Sequence, residues 1–558
     1  MIDFLSEDYI DFTIRYSADS RRFLQENPNI ILCKVLEGRF AVVYVHISDL
    51  PEFLNAAGTL RAPVYPTVQG LMGRIDMEVS GILAVQNQPY LSLYGQGVLL
   101  GFVDTGIDYT LDTFRYGDGS TRIVSLWDQS VQGNAPEDFC FGAEYSREDI
   151  NMALRSEDPQ SIVPHRDDAG HGTFLASVAG GRESDSNIGA APYSELVVVK
   201  LKKLKNFFRN EFLIPENQQN AYSSSDIMMG LDYLVHKAAE LKRPIAICVC
   251  LGSSYTGHDG YSYYQEYISG LSMQTGVFIT AAAGNESNTR HHMTGYTAQG
   301  ESADIEIRVG EKEQGFVLTL WTFALDRMSV SLTSPLGETI SRIPAQPELV
   351  KVTNLLLENT TVTVEYHFPL ATTGSQLTII KLRKPTPGIW SITVYGDLIL
   401  NGQFHAWLPI TGFVGPDTAF LSPSPYYTVT SPGTAFGVTT CGAYSSINQS
   451  LYVSSSWGPS RFDAQLPDLV APGVNVMGVY PWGYGTMTGT SVSAAITAGA
   501  GALLLQWGSE NNMKLNSINI RTYLLNGCTR RPGFTYPNYQ WGFGELNLIR
   551  AFEIMRQI

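Results

Sequence analysis

Four short stretches, each set beside glycine, hold the side chains with the clearest capacity for chemistry. Asp104 follows the apolar run Val98–Val103 and precedes Thr105 and Gly106, a strand ending in a tight exit. Open α/β sheets present ligands at such strand ends. A carboxylate there can fix the tautomer of an imidazole and stabilise its cation, although a helix cap or a ribose-binding acid uses the same placement. His171 stands between two glycines in AGHGTFLASVAGG, which leaves space for a substrate beside a general base. Asn285 closes ITAAAGN. A side-chain N–H aimed at a developing oxyanion is worth about 3–4 kcal/mol, while Asn also simply favours the turn after a strand. Ser491 opens the stretch TGTSVSAAITAGAGALLL where a helix begins, so the positive end of the helix dipole faces its hydroxyl. An ordinary Ser N-cap sits in the same position. Ser493 would face elsewhere. His291 and His292 are the rival imidazoles; adjacent residues rarely chelate one metal, and the pair reads as exposed loop.

The elements that must position these groups follow from the apolar pattern. From Gly97 the chain alternates buried strands (Val98–Val103, Leu196–Leu201, Ile245–Leu251, Val277–Asn285) with helices, one from Asp226 bearing Ile227, Leu231, Leu234, Val235 and Ala238 on one face, another over Tyr261–Thr275. Such alternation means βαβ units and a parallel sheet covered on both faces. Between about 300 and 420 the period changes to two: Ile305, Ile307, Val309; Phe316, Leu318, Leu320; Met328, Val330, Leu332; Val362, Val364, Tyr366, Phe368. That pattern predicts an antiparallel β-sandwich or jelly roll inserted into the α/β unit. Residues 1–96 read as a small α+β unit, with strands at Ile30–Val35 and Arg39–Ile47 around a Glu-Gly turn, a helix over Ser48–Ala57 and a strand at Ile82–Val85.

Composition sets outer bounds. The 558 residues carry 37 Lys and Arg against 53 Asp and Glu, a net charge of −16, with 44% hydrophobic and 16% charged residues. A net acidic chain without a long basic run is a poor nucleic-acid binder and a poor partner for anionic lipid. The longest apolar stretch, Ala494–Leu505, is shorter than the roughly 20 residues of a membrane span. The acidic N-terminus lacks the basic start and apolar run of a signal peptide, so a soluble protein made inside the cell is expected. Six scattered cysteines show neither a disulfide framework nor a zinc spacing, which fits a reducing interior. Cys248 and Cys250 alternate along an apolar run and should point the same way from a strand. No GxGxxG follows Val98–Val103, against a dinucleotide-binding protein.

Taken together, DTG at Asp104, GHGT at His171, AAGN up to Asn285 and GTS at Ser491 give the chain order Asp, His, Asn, Ser. This is the order of the subtilisin solution to the Ser-His-Asp problem, one of three unrelated chain orders that reach the same geometry. The sequence resembles the subtilisin-like (S8) serine proteases at all four blocks, and PDLVAPGV (Pro467–Val474) matches the stretch that family carries before its serine. The resemblance covers about 97–300 and 421–558. It implies a subtilisin-like parallel sheet flanked by helices, with an N-terminal α+β propeptide-like domain at 1–96, a catalytic domain in two parts (97–300 and 421–558) and an inserted antiparallel β (jelly-roll) domain at 301–420. It implies further that Asp104 orients His171, that His171 takes the proton of Ser491, that Asn285 serves the oxyanion hole, and that Leu251, Gly252 and Ser253 bind substrate backbone. Where the family usually has Pro four residues after the serine, this chain has Ala495, a helix-entry change without chemistry.

The layout resembles that of the clostridial germination-specific subtilisin-like proteases, which lack a secretion signal, keep a cleaved propeptide bound and activate a cortex-hydrolase precursor. By that resemblance the partners are a protein or peptide substrate and the chain's own propeptide, cut between Ala84 and Gly97. Some members of the group are silent pseudoproteases acting as regulatory scaffolds, and that is the rival expectation. No cofactor is implied; calcium is common in the wider family, but no EF-hand-like loop is present. No residue announces a specificity pocket.

Overall fold

The computed structural model describes residues 4, 6–57, 68–69, 77–182 and 188–556. Its centre is an eight-stranded sheet in the order Leu469–Pro472, Thr439–Tyr444, Val277–Ala282, Ile245–Val249, Leu99–Asp104, Glu195–Lys200, Ile123–Asp128, Ala143–Ser146. All neighbours run parallel except the last pair. Strands such as Leu99–Asp104 and Ile245–Val249 are buried at every residue, as continuous apolar runs covered on both faces must be. Helices His171–Gly180 and Thr490–Glu510 pack with one core, Ser224–Glu240 and Tyr263–Ser272 with the other. The serine-bearing helix Thr490–Glu510 is buried almost end to end, because its small residues let the sheet approach closely; a Cβ at Gly501 would lie 2.0 Å from the Phe278 ring. No helix among the described residues is long and apolar enough to cross a membrane.

The N-terminal region forms a three-stranded antiparallel sheet, Tyr9–Arg15, Phe40–His46, Ile30–Leu36, with helices Ala18–Glu26 and Leu50–Ala57. Its central strand is buried on both faces. Ala41, Val43 and Val45 pack with Phe53 and Phe208, while Phe40, Val42 and Tyr44 pack with Met228, Leu231, Tyr263 and Tyr267 of the two helices beneath. Polar contacts fix the same interface: Arg15 Nη2 donates to both oxygens of Glu266 at 2.8 and 2.6 Å, and the Ser223 hydroxyl donates to Asp11 Oδ2 at 2.9 Å.

Two expectations for this region are corrected. Ile82–Asn87 is a helix, not a strand, with Ile82 and Val85 wholly buried and Gln86 Nε2 donating to the Ala190 carbonyl at 3.0 Å. A run of four apolar residues fits either element, and packing decided for the helix. Cys33 and Cys140, 107 positions apart in sequence, form a disulfide with Cα atoms 5.6 Å apart, which withdraws the cysteine-based support for a reducing compartment. The bridge joins the N-terminal sheet to the α/β part. The other four cysteines are free and buried, and Cys248 and Cys250 do point the same way, their sulfurs 3.1 Å apart.

Residues 292–420 build two antiparallel sheets. One has six strands, His292–Tyr296, Gln403–Trp407, Gly315–Thr322, Leu377–Arg383, Thr361–His367, Val350–Asn354; the other has five, Thr339–Ile343, Arg327–Thr333, Gly388–Leu398, Ser302–Val309, Ala419–Phe420. Ile305, Ile307, Leu318, Leu320, Trp390 and Phe404 share the core between them. Gly315–Thr322 is buried throughout, since Val317 on its other face packs with Phe208 and Ile410.

His291 and His292 are not exposed. His291 Nδ1 meets Glu286 Oε2 at 2.9 Å, and His292, 1% exposed, stacks on Trp407 with its Nε2 3.2 Å from His405 Nδ1. His258 stacks flat on the same indole at 4.3 Å, its Nδ1 bonded to the Val429 carbonyl. Burial pushes the imidazole of His258 down to about 4 and that of His292 down to about 3. A base with a depressed folded pKa stabilises the fold fully above its unfolded value near 6.5 and loses that contribution as pH falls toward the folded value. Urea-unfolding stability is therefore expected to drop between about pH 6.5 and 4, by about 3 kcal/mol from His258 alone. A His258→Phe variant, which keeps the stacking, should show a shallower slope; an unchanged slope contradicts the assignment.

Candidate active site

Asp104 ends its strand at the centre of the sheet and is 2% exposed. Its Oδ1 accepts the Thr105 N–H at 2.7 Å and lies 2.8 Å from His171 Nδ1. Nδ1–H is thus the donor, and Nε2 is left as the basic nitrogen. His171 is the first residue of its helix, held there by two side chains. The Thr105 hydroxyl accepts the Gly172 N–H at 2.9 Å, and Asp167 accepts from Gly170 N–H (2.8 Å), Thr173 N–H (2.8 Å) and the Thr173 hydroxyl (2.7 Å). Gly172 is required here: a Cβ would fall 2.2 Å from the Gly106 carbonyl oxygen.

Ser491 is the second residue of the helix Thr490–Glu510 and has no exposed surface. Its hydroxyl donates to the Cys250 carbonyl at 3.3 Å, and the Cys250 thiol donates to the Ser491 carbonyl at 3.1 Å. Burial, reinforced by the hydrogen bond with Cys248, pushes the Cys250 thiol well above its ordinary range, so it stays protonated beneath the serine. Asn285 Oδ1 accepts from Thr490 N–H at 3.1 Å and the Thr490 hydroxyl at 3.2 Å, which turns the amide nitrogen the other way as a donor. Gly284 N–H in turn donates to the Thr490 hydroxyl at 3.1 Å.

Leu251 and Gly252 continue from strand Ile245–Val249 and are buried. Ser253 is already committed: its N–H and C=O both pair with Ser431, at 3.0 Å each. Tyr222–Ser223 pairs antiparallel with Val68–Gln69. Burial, then the charges of Asp104 and Asp167, push the Tyr222 phenol far above its ordinary range. Asp167, the hydroxyls of Thr105 and Thr490, and Tyr222 do not stand out in the sequence. Asp167 could have been found as an acid shortly before the histidine block. Among the described residues no three His, Cys, Asp or Glu side chains converge to hold a metal ion.

A carboxylate ends a central parallel strand, an imidazole opens a buried helix and a serine lies at the start of a second, on an α/β fold of the subtilisin type. The chain belongs to the subtilase family, whose model matches residues 95–350 and 417–544. It is similar to the CspB protease of Clostridium perfringens, with 32% identity and a TM-score of 0.76 over 87% of this chain and 99% of that one. It is also similar to the subtilisin-like protease SBT1.9 of Arabidopsis thaliana (23% identical over 463 residues, 75% of this chain) and to the serine protease AprX of Bacillus subtilis (31% over 140 residues, 21% of this chain). The chain spans 58% and 29% of the lengths of those two relatives.

The close approach of the histidine helix to the aspartate turn yields a direct test. Gly172→Ala forces its methyl group onto the Gly106 carbonyl, and overpacking of this kind costs about 1–3 kcal/mol. A lowered Tm together with slower labelling by a fluorophosphonate is expected. An unchanged Tm and labelling rate would mean that the contact does not constrain the site.

Proposed function

We propose that this chain is a serine endopeptidase that works through Asp104, His171 and Ser491 and an acyl-enzyme. The observation that carries this is the buried 2.8 Å bond between His171 Nδ1 and Asp104, which fixes the tautomer a general base needs. In the reaction the Ser491 hydroxyl leaves the Cys250 carbonyl and gives its proton to His171 Nε2 as Oγ attacks the substrate carbonyl. Asp104 stabilises the resulting imidazolium. The Asn285 amide and the Ser491 N–H hold the oxyanion, His171 returns the proton to the leaving amine, and water then cleaves the ester. Peptide backbone lies beside Leu251 and Gly252 as an added strand. Ser253, whose backbone already pairs with Ser431, has no part in that strand.

The same serine cuts the chain's own N-terminal region, a propeptide-like α+β unit. The burial of Ile82, Val85 and Gln86 argues against a cut within the helix Ile82–Asn87, and the pairing of Val68–Gln69 with Tyr222–Ser223 argues for one between residues 58 and 77. Residues 301–420 form an inserted jelly-roll domain in this reading, and the physiological substrate is a cortex-hydrolase precursor in a germinating spore. The rival, a silent pseudoprotease scaffold, has one observation in its favour: Ser491 is wholly buried, with its hydroxyl turned to Cys250.

Intact mass of the purified protein beside Ser491→Ala tests the proposal. Under reducing, denaturing conditions the parent is expected to give two fragments split between residues 58 and 77, and the variant one whole chain. Without reductant the parent fragments should stay joined through Cys33–Cys140, at the mass of the whole chain plus one water. A variant cut like the parent contradicts self-processing. A parent that neither splits nor takes a fluorophosphonate supports the silent reading.

A further inference from the structure

A second carboxylate–imidazole pair lies two strands away from the catalytic one. Asp128 ends strand Ile123–Asp128, and His165 sits in the loop leading to His171; the side chains of both are completely buried. His165 Nδ1 meets Asp128 Oδ2 at 2.6 Å, and His165 Nε2 accepts the backbone N–H of Ile107 at 3.2 Å. These two contacts fix the ring as the neutral tautomer with its proton on Nδ1. Asp128 Oδ1 accepts from the N–H of Ser130 at 2.9 Å and from its hydroxyl at 2.5 Å. Burial pushes the Asp128 carboxyl up, but His165, Lys200 and Ser130 outweigh it and hold the group below the usual carboxylate range.

The pair touches the catalytic turn at its narrowest point. Gly106, with φ +115°, has the His165 ring where a side chain would be: a Cβ there would lie 2.9 Å from Cε1. Asp104 and Asp128 stand at the same level of the sheet, each opposite Lys200 of the strand between them. Two residues after His165, Asp167 caps the helix that begins at His171. His165 therefore ties the loop that carries the catalytic histidine to both the turn that carries the catalytic aspartate and the strand end that carries Asp128.

Resting on the protease reading of the site, we propose that His165 and Asp128 are positioning residues that set the approach of Asp104 to His171. The role needs one acceptor toward Ile107 and one donor toward Asp128. A glutamine at 165 supplies both, and a leucine supplies neither.

The test follows the second-order rate of Ser491 labelling by a fluorophosphonate as a function of pH, with Tm measured alongside. His165→Gln is expected within about threefold of the parent rate and with the parent's acid midpoint. His165→Leu should label at least tenfold more slowly, with the acid midpoint at lower pH, because a loosened Asp104 stabilises the His171 cation less. Should the leucine variant not fold, Asp128→Asn keeps the shape, removes the charge and should shift the midpoint the same way. The inference is overturned if the folded variants keep the parent's rate and midpoint. It is equally overturned if His165→Gln and the disruptive variants lose rate alike, in step with Tm and with the midpoint unmoved, which is plain packing. A parent that takes no label sinks the protease reading and this inference together, and is recognised because the parent fails before any variant.

Discussion

An imidazole and a carboxylate 2.8 Å apart and out of contact with water keep that geometry only while the backbones behind them stay fixed. Asp104 is fixed by the sheet, with paired strands on either side. His171 is fixed by a helix whose first turn is bonded to Thr105 and capped by Asp167. Ser491 comes from a helix so poor in bulky residues at its start that it threads the core beside both. The glycines around the three residues belong to the same constraint, since Gly106 and Gly172 are where backbone meets backbone or ring with no room for a methyl group.

The N-terminal sheet extends the core outward. Its residues Phe40, Val42 and Tyr44 complete an apolar cluster whose floor is the two helices Ser224–Glu240 and Tyr263–Ser272. Stripped of that cover, Met228, Leu231 and Tyr267 would face water, a sizeable apolar patch. The first of these helices starts at Ser224, directly after the short strand Tyr222–Ser223 that pairs with Val68–Gln69. Packing, ion pair and disulfide therefore act on one interface.

Much of this was legible in the sequence because each feature had a local cause. Buried parallel strands read as unbroken apolar runs, the paired sheets of 292–420 as alternation, and the candidate residues as glycine-flanked blocks in a diagnostic order. Features with non-local causes were not legible. The partner of Cys33 lies 107 residues away, and nothing in the spacing selects Cys140. His292 reads as a loop residue until the strand Gln403–Trp407 brings His405 and Trp407 against it. The strand His292–Tyr296 precedes the visible alternation and joins the antiparallel sheets for the same reason. Asp128 and His165 lack any motif: the sheet register sets Asp128 level with Asp104, and the loop folds the His165 ring against Gly106. The helix Ile82–Asn87 was hidden because its four apolar residues carry no period of their own.

The central claim is that Ser491 is a nucleophile activated by His171 and Asp104. The most direct measurement is peptide mapping of the covalent adduct after a fluorophosphonate reacts with the parent and with Asp104→Asn. The account predicts an adduct on the parent at Ser491 and at no other serine, with a rate that falls by about 10⁴ when the aspartate is replaced. An adduct elsewhere, or one on Ser491 at the same rate without the carboxylate, would contradict it.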